Sequence, residues 1–416
     1  MAFRCRRRDR RQVRAAFQRP ADAHADTGLT HRPRSIPAHE THAARNTGAA
    51  RRLGGRAAGT ADAAAIAPGP VDDALRPGAP TTPPELALLD ALVSAARPYA
   101  QVTTFTGAGP REGSEGLPVH AIALGNPAPH LPGLGIFGGV HGLERIGTRV
   151  VLAFLQGLVS RLPWDETLRL QLQRMRLVFM PLVNPGGLVL GTRANPRGVD
   201  LMRNAPLDAS EPVPFLVGGQ RLGPGLPWYR GRAGEPLQPE SQALCDTVER
   251  ELSGRPVSLA LDCHSGFGQR DRLWFPFAGR RAPFTHAAQL HALNEIFERS
   301  HAHHPYVVEP QSRHYLAHGD LWDHLALRAP PGHVFLPFTL EMGSWLWVKK
   351  NPRQLFSRHG IFNPVISHRE TRVLRRHLPL LDFLMRATVA AAEWLPRDPL
   401  ELERHRRAAH ARWYAA

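Results

Sequence analysis

The 416-residue chain is short of cysteine, lysine and long apolar runs, and each shortage closes off a class of protein. Three cysteines, Cys5, Cys245 and Cys263, are too few and too scattered for a disulfide scaffold or an all-cysteine metal cage. They fit a reducing compartment, so a cytoplasmic location is expected. No apolar stretch approaches the roughly 20 residues needed to cross a bilayer, which excludes a membrane-spanning helix. Lysine occurs only at Lys349 and Lys350, leaving arginine to supply nearly all of the 52 cationic side chains.

What is there in excess is positive charge, a formal +16. Its position matters more than its size. Residues 1–60 carry 14 arginines against 4 acids, so +10 of the +16 sits in this first segment. An arginine-for-lysine skew beside abundant Ala, Pro and Gly is what a GC-rich coding bias produces. Residues 1–82 have no sustained hydrophobic period and read as a basic, low-complexity leader without a fold. Their basic start runs into Ala-Ala-Phe-Gln-Arg-Pro rather than an apolar core, so it does not read as a secretory signal. An arginine leader that contacts nucleic acid is the reading from charge alone; it predicts binding that weakens steeply with salt. No other feature supports it, and neither nucleic acid nor membrane is expected as a partner. Oligomeric state is left open.

From Pro83 to about residue 396 the pattern alternates. Val119–Gly125, Gly133–Val140, Arg176–Val183, Val257–Cys263 and Val334–Glu341 read as strands, the later ones as continuous buried-type runs. Ile146, Val150, Val151, Phe154, Leu155 and Leu158 recur at helical spacing; Glu240–Leu252, Phe284–Phe297 and Arg375–Trp394 also read as helices. Val189 to Tyr229 reads as a long surface loop, and residues 397–416 as a basic tail. The expected fold is a single α/β domain, a twisted, mostly parallel mixed sheet with helices on both faces. Ligands in such sheets collect at the carboxyl ends of the strands.

Several side chains capable of chemistry fall at those ends. In Gly138-Gly139-Val140-His141-Gly142-Leu143-Glu144, a histidine and a glutamate three apart can converge on one ion. His264 ends an apolar strand in Leu261-Asp262-Cys263-His264, and two His with one Glu would leave a zinc position open for water. Its neighbour Cys263 should face away, because successive strand residues point to opposite faces. Glu341 ends another apolar strand and suits a general base. Arg193 and Arg203 carry planar guanidinium groups that grip carboxylates and oxyanions. His301, His303 and His304 read as a solvated helix end rather than as a second metal site.

In this order and spacing, with 120 residues from Glu144 to His264 and 77 from His264 to Glu341, the segment from Gly133 to Gly343 resembles the carboxypeptidase A-like zinc metallopeptidases. The resemblance implies one zinc ion held by His141, Glu144 and His264, Glu341 as general base, and Arg193 as the group that stabilises the tetrahedral oxyanion. It places Arg203 and Asn204 at the grip on the substrate's terminal carboxylate, Tyr315 as the side chain closing over substrate, and Trp322 near the specificity pocket, where a core tryptophan packing under the loop is the equal alternative. The loop Thr192-Arg193-Ala194-Asn195 looks most like the murein peptide amidase branch. Two departures stand out. Asn184-Pro185-Gly186-Gly187 lacks the family's Asp, and Met202 replaces an Asn whose amide helps hold the carboxylate, a hydrogen bond worth about 1.5–3 kcal/mol. The implied activity is zinc-dependent hydrolysis of an amide in a peptide or small peptide-like substrate. The alternative is an N-acyl amino acid deacylase of the succinylglutamate desuccinylase and aspartoacylase type, which shares the ligand pattern.

Overall fold

The computed structural model describes residues 82–111 and 113–415. The leader expected over residues 1–82 therefore lies almost wholly outside the described residues. Eight strands form one sheet: β1 (Ala100–Thr106), β2 (Pro118–Gly125), β3 (Gly133–Gly138), β4 (Arg176–Met180), β5 (Val257–Ser265), β6 (Arg272–Phe275), β7 (Val307–Pro310) and β8 (Val334–Met342). Their spatial order is β1-β2-β4-β3-β5-β8-β6-β7. The middle run β4-β3-β5-β8 is parallel throughout, while β1, β2 and the β8–β6 seam are antiparallel. Every residue of β3 and β5 is buried, as a strand covered on both faces requires.

Helices cover both faces. On one side lie α1 (Pro84–Ala96), α2 (Arg145–Arg161) and α3 (Glu166–Gln173). The short α4 (Pro185–Leu190) follows β4, and α5 (Pro239–Glu251) covers the opposite face. α6 (Ala287–Ser300) returns to the first side, and α7 (Leu321–Leu327) joins α5. After β8 come α8 (Trp345–Lys350), α9 (Arg358–Phe362), the 23-residue α10 (Ser367–Val389), α11 (Ala391–Trp394) and α12 (Pro399–Trp413). No helix of the described residues is long and apolar enough to cross a membrane.

Two expectations change. The basic tail is α12, a docked helix: His405, Ala409 and Trp413, four apart, form its buried stripe, and Trp413 packs edge-on to Phe275 and donates to the Val308 carbonyl. The loop from Val189 to Tyr229 does not stay on the surface either. Its middle, Val199 to Ala205, is buried and contains the short 3-10 turn Leu201–Arg203.

On the α10 side, His377 is buried with Tyr306 Oη 2.9 Å from its Nδ1. Burial pushes its pKa down to about 4, against the opposing pull of Asp271. A depressed folded-state value means stability that is fully present above the unfolded value of about 6.5 and lost as pH falls toward 4, up to a few kcal/mol. The expected result is a melting temperature that drops between pH 6.5 and 4 and drops less in His377→Gln. An unchanged pH slope in that variant would remove His377 from the account.

Candidate metal centre

The candidate centre is assembled at the carboxyl ends of the parallel strands β3, β4, β5 and β8. β3 stops at Gly138, and the chain turns through His141 to Glu144, whose backbone N–H donates to the His141 carbonyl before α2 begins. The His-x-x-Glu pair thus sits on a tight turn ahead of the helix, not within it. α2 lies close against β5 because residue 147 is glycine: a Cβ there would come within 2.1 Å of the Cys263 carbonyl oxygen. That approach sets Glu144 beside the end of β5, where the Ser265 N–H donates to Glu144 Oε2 at 2.9 Å.

Asn184 ties the other loops to this point. Its Oδ1 caps α4 by accepting from Gly187 N at 2.8 Å, and its Nδ2 donates to the carbonyls of Val140 and Arg193 at 3.3 and 3.4 Å. The turn that lacks the family Asp still performs this anchoring through its first residue.

His141, Glu144 and His264 come together with all three side chains buried, and their ligand atoms lie within 4.8 Å of one another. His141 Nδ1 is 3.0 Å from Glu144 Oε1 and 3.1 Å from His264 Nδ1, which is itself 3.2 Å from Glu144 Oε2. Ligands tetrahedrally placed at zinc's usual bond lengths of about 2.0–2.1 Å stand roughly 3.3 Å apart. Each histidine's other nitrogen meets a carboxylate: His141 Nε2 lies 3.0 Å from Asp200 Oδ1, and His264 Nε2 lies 2.7 Å from Asp262 Oδ2. Those contacts commit both Nε2 atoms as donors and turn both Nδ1 atoms toward each other and Glu144, a position that takes a proton or a cation. The donor set and its outer carboxylates therefore fit a zinc ion. Despite burial, the two histidines hold the Glu144 carboxyl far below its ordinary range, and Asp262 with Glu144 raises His264.

Asp200 and Asp262 were given no role in the sequence reading. Asp262 had a signal: on a strand, residue i−2 shares a face with residue i. Asp262→Asn should keep the fold and weaken zinc binding about 10–100-fold in a chelator competition. An unaltered affinity would mean that the Asp262 contact does not support the ligand.

Glu341 faces the centre across the β5–β8 ladder, where it is the register partner of His264. Burial, and then the charge of Glu144, pushes its pKa up to about 7. Arg193 bridges Asp200 Oδ2 at 2.8 Å and Glu144 Oε1 at 3.0 Å, remaining partly exposed. Arg203 is 3% exposed, and among the described residues no carboxylate comes within ion-pair reach of it. Its Nη2 donates to Tyr315 Oη at 3.3 Å, its Nη1 to the Met202 carbonyl at 3.4 Å, and its Nε has no partner.

Two expected positions look different in the structure, and a third is as expected. Trp322 does not line an open pocket: it is 2% exposed, packs edge-on to Phe137 at 5.1 Å, and donates from Nε1 to Asp262 Oδ2 at 3.0 Å. α7 holds it there, capped by Asp320, which accepts from the N–H groups of Trp322 and Asp323. Asn204 is not free for substrate, since its Nδ2 donates to the Arg230 carbonyl and its Oδ1 accepts from Gln238 N. Both polar ends are used in shaping the loop. Cys263 faces away from the centre into the core, as its place on the strand required.

A zinc carboxypeptidase family model matches residues 92–330, more than half of the chain. The chain belongs to the zinc carboxypeptidase family. It is a zinc metallopeptidase by that membership, and its mixed sheet is the carboxypeptidase fold. Thrombin-activatable fibrinolysis inhibitor is similar at 17% identity, over 73% of this chain and 74% of that one, with a TM-score of 0.53. The bovine form of that protein, in complex with tick carboxypeptidase inhibitor, is 16% identical over 75% of this chain and 99% of its own, with a TM-score of 0.52. The murein-tripeptide amidase MpaA of Escherichia coli O157 is 20% identical over 71% of this chain and 93% of its own, at a TM-score of 0.38. Likeness at these identities speaks to the fold and not to the substrate. No curated protein matches the chain.

Proposed function

We propose that this zinc carboxypeptidase-fold enzyme hydrolyses an amide bond in a peptide or peptide-like substrate that carries a free carboxylate close to the scissile bond. The observation that carries the reading is Arg203, a buried guanidinium with no direct carboxylate partner among the described residues and an Nε without a hydrogen bond, its charge balanced only from further off by Asp320 and Asp200. An unpaired buried charge is costly, and an anionic substrate group offsets that cost. Tyr315, 3.3 Å away, stands where its ring and hydroxyl close over the same group. Met202 offers no amide, its side chain being buried in the core beside Leu201. The grip therefore rests on Arg203 without the family's second donor.

His141, Glu144 and His264 would hold the zinc ion. Bound there, zinc supplies Lewis-acid polarisation of the scissile carbonyl and acidifies a water molecule. Glu341, held near neutrality, accepts the attacking water's proton and delivers it to the departing amine. Arg193 keeps its charge beside two carboxylates and presents it toward the oxygen on which negative charge develops. Asp200 and Asp262 fix the two imidazole rings through their Nε2 atoms.

The test is digestion of a peptide library containing cell-wall tripeptides, with and without a chelator, read by mass spectrometry. Chelator-sensitive cleavage of substrates with a free carboxylate is expected, together with loss of cleavage when that carboxylate is amidated. In Arg203→Met, kcat/KM should fall roughly 10²-fold or more, chiefly through KM. Equal cleavage of amidated and free peptides would sink the reading. Met202 favours one alternative, an N-acyl amino acid deacylase, which predicts turnover of N-acyl amino acids and none of peptides. A cytoplasmic location is part of the proposal and rests on the sparse cysteines, of which Cys245 and Cys263 are free and buried; fractionation of the source cells tests it.

A further inference from the structure

A second cluster of metal-ligating side chains lies outside the catalytic centre, between α6 and α12. His291 and Glu295 are one helical turn apart on α6 and face α12, from which His405 points back. The ligand atoms of the three lie within 4.8 Å of one another. His291 Nδ1 and His405 Nδ1 approach to 2.9 Å, with ring centroids 5.2 Å apart and planes inclined at 56°. In the catalytic centre the corresponding figures for His141 and His264 are 3.1 Å, 4.8 Å and 67°. The two histidine pairs are thus arranged alike, and each has a glutamate beside it.

We infer that His291, Glu295 and His405 form a second site for a divalent transition-metal ion, one that pins the C-terminal helix α12 to α6. Two imidazoles and a carboxylate suit zinc, copper or nickel, whereas calcium and magnesium prefer oxygen donors alone. Burial lowers the pKa of both His291 and His405, so their ring nitrogens hold free lone pairs at neutral pH. The competitor is Arg404, which donates from Nη2 to His405 Nε2 at 2.8 Å and comes within 3.9 Å of Glu295 Oε2. In that state His405 carries its proton on Nδ1, toward His291. A metal on Nδ1 moves the proton to Nε2 and displaces Arg404, whose side chain is mostly exposed and free to swing into solvent. Among the described residues the Glu295 carboxylate accepts no hydrogen bond that must be broken, only the long contact with Arg404.

The experiment strips the full-length protein with a chelator and titrates it with cobalt(II) and zinc(II), following visible absorption, metal stoichiometry and melting temperature. His264→Ala should keep one class of site and still melt higher with added zinc. His291→Ala, placed on a half-buried position, should keep wild-type turnover and bind one equivalent fewer. The double variant His264→Ala/His291→Ala should show neither binding nor a melting shift. Glu295→Gln, a change at a partly exposed position, should weaken the second site roughly tenfold or more without unfolding the chain. Wild-type protein that takes up a single equivalent, or a His264→Ala protein that takes up none, overturns the inference. Unchanged stoichiometry in His291→Ala overturns it as well. Because the deciding readouts are metal stoichiometry and melting temperature, they stand apart from the fate of the catalytic proposal.

Discussion

Replacing Glu341 with glutamine is expected to lower kcat about 10²–10⁴-fold while the zinc content of the protein stays at the wild-type level. The substitution keeps the size and hydrogen-bonding shape of the side chain and removes only its capacity to take a proton. Glu341 is no ligand in the cluster formed by His141, Glu144 and His264, so metal retention is the natural counterpart. Its pKa is raised first by burial and second by the neighbouring Glu144 charge, with a smaller push from Asp262. A cation among the three ligands neutralises the second, leaving a carboxylate able to work as a base near neutral pH. Turnover close to the wild-type rate in Glu341→Gln would take this residue out of the proton-transfer role.

The second large effect is expected from His264→Ala. Removing this ring leaves His141 and Glu144 as a two-ligand remnant, so zinc at the catalytic centre should be lost by more than about a hundredfold in affinity, and hydrolysis with it. It also strands Asp262, a fully buried carboxylate whose remaining side-chain partner is Trp322 Nε1. Leaving such a charge unpaired costs about 3–5 kcal/mol, so a drop in melting temperature accompanies the loss. His264→Gln separates the two effects, because its amide can still donate to Asp262 while offering zinc a poor ligand. Metal analysis showing undiminished catalytic-site zinc in both variants would refute the ligand assignment.

How legible this was in the sequence depended on periodicity. β3, β5 and β8 are continuous apolar runs ending on Gly138, Ser265 and Met342, and such runs announce buried parallel strands; the side chains at and just past their ends were therefore placed correctly at one edge of the sheet. Residues whose surroundings come from distant segments were read less well. The family resemblance set Trp322 near the specificity pocket, yet its indole is committed to Asp262, 60 positions away. Asn204 looked available until Arg230 and Gln238 claimed it. α12 was read as a tail because Arg and Glu dominate it; only three residues at four-residue spacing carry its buried face. The histidine cluster flagged at 301–304 ends a helix, with His304 stacked on Phe297 at 4.5 Å. The pair that does converge, His291 and His405, is 114 residues apart, a separation no local pattern reveals.

The position of β8 has a consequence for how the molecule is made. It is the last strand in the chain, yet it lies between β5 and β6 in the sheet. Until residue 342 has emerged from the ribosome, β5 presents an open hydrogen-bonding edge, and the β6–β7 pair has nothing to join. Long-range pairing of this kind is slow and leaves sticky edges exposed in the meantime. The strand that completes the sheet is also the one that carries Glu341, so the nascent polypeptide acquires its proposed proton acceptor in the same event that closes its architecture.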